Sequence, residues 1–81
     1  MIKLMQEIVA LCVKITHGSK ADVFCEYEGH VDCHHVRFYE NGWEPDASPE
    51  YISYLSPMDE ESLTYTRDRL VKLAEKLNVE I

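Results

Sequence analysis

The sequence predicts an α+β fold, a two-layer sandwich in which two helices pack on one face of a small antiparallel sheet, in the order α-β-β-(β)-α. Three observations carry it. Near each end of the chain apolar residues recur at steps of three and four; between them two runs alternate in character; and a glycine break joins those runs. A chain of 81 residues has room for one hydrophobic core, so residues 1–81 are expected to form a single domain. Its hydrophobic fraction of 46% lies far from the composition of disordered segments.

The first element is a helix from Ile2 to Ile15, with Met5, Ile8, Val9, Cys12 and Ile15 on its apolar face and Gly18 as its stop. Lys3, Gln6, Glu7 and Lys14 interrupt the apolar run, which excludes a membrane span and the uninterrupted core of a secretion signal. Asp22 to Glu28 then alternates, placing Val23, Cys25 and Tyr27 on one side and Asp22, Phe24, Glu26 and Glu28 on the other. A second alternating run, Val31 to Tyr39, ends at the turn pair Asn41-Gly42. With Gly29 and His30 at the tip of a hairpin, Cys25 faces His34, Val23 faces Val36, Tyr27 faces Asp32 and Asp22 meets Arg37.

The segment Glu44 to Pro49, with two prolines among turn formers, reads as a surface loop, and Tyr51 to Leu55 as a short third strand. The last helix is expected to start with Ser56 as cap and Pro57 in its first turn. Its apolar stripe is Leu63, Thr66, Leu70, Leu73, Ala74 and Leu77, while acids lead and Lys72 and Lys76 follow, as the helix dipole favours. Its charged side otherwise reads as a solvated face.

Fifteen acids against eight bases leave a net charge of −7, which repels phosphate backbones and anionic lipid, so neither direct nucleic-acid binding nor membrane association is expected. The same charge suits a basic protein surface. Three cysteines, Cys12, Cys25 and Cys33, form no disulfide framework and point to a reduced, cytoplasmic setting.

The sharpest chemical signal is the crowding of Cys25, His30, Cys33, His34 and His35 into one hairpin, five donors of the kind zinc takes. Alternation divides them, with Cys25 and His34 toward the helices, Cys33 and His35 away, and His30 at the tip. Paired Cys-x2-Cys knuckles are missing, so the sequence implies no metal and no other cofactor, although a dimer would allow donors to meet across its axis. Cys25 opposite His34 would be a thiolate–imidazole pair, but a strand position beneath two helices keeps a thiol inert and no third orienting group accompanies it. Tandem His34-His35 offers a pH-sensitive element, against the plainer reading of partly solvated strand histidines. No catalytic signature emerges, and an enzyme is not expected.

The run from Asp22 to Trp43, through Val23, Gly29, His30, Val31, Asn41 and Gly42, resembles small proteins encoded by phages and prophages of Gram-positive bacteria. The resemblance covers the hairpin and the helix–hairpin–helix layout and implies no activity. It also implies that Cys33, His34 and His35 occupy variable positions, so that their clustering is incidental.

Two helices on one sheet face leave the other uncovered, and alternation places Phe24, His35, Arg37 and Tyr39 there, joined by a third-strand tyrosine and by Trp43. A core this small rarely supplies more than ~3–5 kcal/mol of net stability, which favours a second subunit. The expected function is that of a non-enzymatic accessory protein acting through protein contact as a homodimer. Two other readings are a metal-binding module on the hairpin and an acidic inhibitor lodged in the basic groove of a nucleic-acid enzyme.

Overall fold

Apolar residues at helical spacing form two 17-residue helices, α1 (Ile2–Gly18) and α2 (Glu60–Lys76). In the computed structural model, which describes residues 1–81, three strands lie between them: β1 (Asp22–Glu28), β2 (Cys33–Tyr39) and β3 (Glu50–Pro57). The strands form one antiparallel sheet in the order β1-β2-β3. Helix α1 packs over β1, α2 over β3, and the helices against each other. The core therefore lies between one sheet face and the helix pair, built from Ile8, Leu11, Cys12 and Ile15 of α1, Val36 and Phe38 of β2, Ile52 of β3, and Leu63, Leu70, Leu73 and Ala74 of α2. Burying each large aliphatic side chain there contributes about 1.5–3 kcal/mol. No helix is long and apolar enough to cross a membrane.

The expected hairpin register is off by two residues. Cys25 pairs with Val36, Val23 with Phe38, Tyr27 with His34 and Asp22 with Tyr39, so Cys25 and His34 are not cross-strand partners. The connection is a four-residue loop, Gly29 to Asp32, and β2 begins at Cys33 rather than Val31. Its left-handed residue is Asp32, at φ 49°, whose carboxylate accepts a 2.8 Å hydrogen bond from the Tyr27 hydroxyl. Aspartate tolerates that conformation better than most residues, so the loop closes two residues later than a Gly-His tip would. A shift of two keeps every side chain on its own face.

Helix α2 begins later than expected. Pro57 still pairs with Cys33 as the last residue of β3, an edge strand where a missing N–H is tolerated. The cap is Asp59, whose Oδ1 accepts from the Ser62 N–H at 2.7 Å, not Ser56. At the other end Asn78, at φ 58°, closes the helix with hydrogen bonds from Asn78 N–H to Glu75 and from Val79 N–H to Ala74, a Schellman closure. Val79 then turns back onto α1, where a Cβ added to Gly18 would stand 3.0 Å from it. Gly18 thus ends α1 by leaving room for Val79, while the Ser19 hydroxyl donates to the Ile15 carbonyl at 2.7 Å.

Val9 does not lie in the core. It is 44% exposed, and Leu11 occupies the interior instead. One residue is about 100° around a helix, so with Ile8 and Cys12 pointing inward Val9 falls on the flank.

Candidate interface on the uncovered sheet face

The sheet face away from the helices carries the side chains that alternation assigns to it. Phe24 and Tyr39 meet edge to face with centroids 5.6 Å apart. The Arg37 guanidinium lies 4.6 Å from the Phe24 ring centre and is ion-paired with Glu26, its neighbour on β1. That carboxylate holds the guanidinium above its already high ordinary pKa. Arg37 pairs in register with Tyr51, which packs edge to face on Tyr54 at 5.3 Å. Tyr54 in turn meets His35 at 5.1 Å. The Leu55 N–H donates to His35 Nδ1 at 3.3 Å, and His35 Nε2 stands 3.7 Å from Glu28 Oε1. A continuous layer of rings and charges, from Tyr39 to Glu28, therefore crosses all three strands.

Of the residues expected on this face, Phe24, His35 and Arg37 are half-buried, and Tyr39 is 9% exposed because its neighbours cover it. Tyr39 is thus a support for Phe24 rather than a free anchor. Trp43, 54% exposed, is tied to the sheet at its backbone, where its N–H donates to Asp22 Oδ2 at 2.7 Å. Gly42, at φ 95°, makes that approach possible, since a Cβ there would lie 3.3 Å from the Lys20 carbonyl.

Sequence reasoning anticipated one tyrosine of β3 and found neither the pair nor its spacing. Tyr51 and Tyr54 are three apart, so strict alternation puts them on opposite faces. Register irregularities between His34 and Val36 and between Val36 and Arg37, followed by Leu55 at φ 48°, bring both onto the outer face and leave the adjacent Ile52 and Ser53 buried. Nothing in the sequence marks such a bulge, since the left-handed residue is a leucine. Glu26 was legible as an outer-face acid, and the two-residue register shift concealed its place beside Arg37.

The hairpin donors stay apart. Cys25 turns inward to pack against the core that holds Cys12, and its nearby thiol together with burial pushes the Cys12 thiol far above the ordinary thiol range. His34 is fully buried, with Nε2 2.8 Å from Thr66 Oγ1. Cys33 bonds the Val31 carbonyl at 3.3 Å, and His30 projects into solvent 4.0 Å from Glu28. No three His, Cys, Asp or Glu side chains converge as a metal centre requires.

Acids lie on both helices, on β1 and β3 and in the loops, though not on β2, and Glu7, Glu26, Glu40 and Asp68 are already engaged by Arg67, Arg37, Lys76 and Arg67 respectively. No protein-family model, curated protein or solved structure matches this chain.

Proposed function

We propose that this protein acts without catalysis, as an accessory protein that works by protein contact, and that its uncovered sheet face pairs with the same face of a second copy. The observation that supports this reading is the ring-and-charge layer itself. Phe24, Arg37, Tyr51, Tyr54 and His35 lie side by side with Tyr51 and Tyr54 more than half exposed, and no element of the chain covers them. Aromatic residues and arginine are the types enriched where protein surfaces meet.

Size supports the same reading. The molecule is a plate whose Cα extents are 30 × 28 × 15 Å, so its broad face is on the order of the ~800 Å² that each partner contributes to a standard interface. A twofold pairing requires a patch that complements itself, and a layer holding Arg37 and Glu26 among rings meets that requirement.

Sedimentation equilibrium at micromolar concentration tests the proposal. The expected result is a dimer for the natural chain and a folded monomer for Tyr54→Glu, which puts a charge in the layer at a 62% exposed site. A natural chain that stays monomeric throughout that range, or a Tyr54→Glu variant that dimerises equally well, would overturn it.

A further inference from the structure

A second surface lies at the β1 edge, beneath the flank of α1. The Val23 N–H does not face β2; it points outward and donates to Thr16 Oγ1 at 3.0 Å. In an antiparallel pair outward and inward groups alternate, so the N–H and C=O groups of Cys25 and Tyr27 point the same way. Thr16 shields only the start of this edge. Beyond it β1 carries none of the prolines or bulges that usually blunt an exposed strand.

Above the open part of the edge, α1 turns a second apolar flank to solvent, where Ile2 is 77% exposed and Val9 44%. Together with Met5, Tyr27 and Met58 these residues line an open groove of about 740 Å³. Its one charged side chain is Asp32. On the opposite face β1 presents Asp22, Glu26 and Glu28. The site thus offers backbone hydrogen bonds at the edge, an apolar recess on one side and acids on the other.

The geometry points to a site for β-strand addition, taking an extended segment of another protein in which apolar residues alternate with basic ones. Paired antiparallel with Cys25 and Tyr27, such a segment sends every second side chain into the groove and the rest toward Glu28, the β1 acid beside Glu26 that no arginine or lysine holds. A second copy of β1 paired antiparallel about Cys25 would instead set Asp22 against Glu28 at both ends of the pair, which is unfavourable directly across strands. The site lies on the perimeter of the plate and does not rest on pairing through the broad face.

Amide hydrogen exchange on the 15N-labelled full chain tests this, with a capped seven-residue peptide alternating valine and lysine as the probe. The expected result is exchange slowed about tenfold at the Cys25 and Tyr27 amides when the peptide is at ten times its Kd. The effect should be lost for a peptide N-methylated at its pairing amides and for Val9→Asp, whose fold is checked by circular dichroism. Unchanged exchange at both amides, equal protection by a valine–glutamate peptide or by the N-methylated one, or protection that grows with protein concentration alone, each overturns the proposal; the last would identify a second copy as the occupant.

Discussion

His34 shows how one side chain ties the sheet to the helix layer. Thr66 Oγ1 donates to the Ser62 carbonyl at 3.1 Å and so accepts from His34 Nε2–H at 2.8 Å. That fixes the neutral tautomer and leaves Nδ1 buried without a partner. Burial pushes the His34 pKa below its ordinary value of 6.5, neighbouring His35 adds to the shift, and the Ser56 and Pro57 backbone and Asp59 oppose it. The unfolded chain therefore binds a proton that the folded chain refuses, and stability falls as pH drops through about 6.5 toward the lowered value, while above 6.5 it is fully retained. Urea titrations at pH 7 and pH 5 should show the midpoint falling in the natural chain and falling much less in His34→Leu. An equal fall in both would assign the pH dependence to another group. Thr66→Val keeps the side-chain shape but strands the His34 N–H, and should cost about 1–3 kcal/mol at pH 7, read from the same titrations.

At the scale of elements, what periodicity encodes proved legible, and what depends on partners did not. The faces of β1 and β2 follow from alternation, and Leu63, Leu70, Leu73 and Ala74 are buried as their spacing predicts. Register was harder to read, because Gly29 and His30 make a plausible tip and only the Tyr27–Asp32 bond shows where the loop closes. The start of α2 was ambiguous for a similar reason. Ser56-Pro57 and Asp59 carry equally good starting signals, and pairing of Pro57 with Cys33 decides between them. On the candidate face, Phe24, His35 and Arg37 were legible, whereas Tyr54 depends on a bulge with no local signature. The cap assignment predicts a contrast. Asp59→Ala should lower the melting temperature by about 4–8 °C, a loss typical of a helix cap in a domain this size. Ser56→Ala should change it little, and thermal unfolding of the two variants side by side would reverse the assignment if their effects were exchanged. The Ser62 N–H also holds the Asp59 carboxyl below its ordinary pKa, so the cap's contribution is present above the unfolded value near 3.8 and is lost as pH falls through the lowered one.

For the whole molecule, the decisive quantity is how little the plate buries. Only 16 of 81 residues lie in its interior, and the broad sheet face leaves Tyr51 and Tyr54 in water. A chain with so thin a core draws part of its stability from whatever covers that face, and a self-pairing interface makes that part depend on concentration. Each tenfold rise in protein concentration adds about 1.4 kcal/mol per dimer, half of it per chain, to a fold of which unfolding releases about 2 cal/mol/K per residue. The melting temperature should therefore climb by about 3–6 °C per decade of concentration in the natural chain. It should stay flat for Tyr54→Glu, because a folded monomer unfolds without a change in molecularity. Calorimetric scans at three concentrations measure both slopes, and a flat natural chain would mean that the two-layer core stands alone, with Phe24, Arg37 and the β3 tyrosines contributing only their contacts within one sheet.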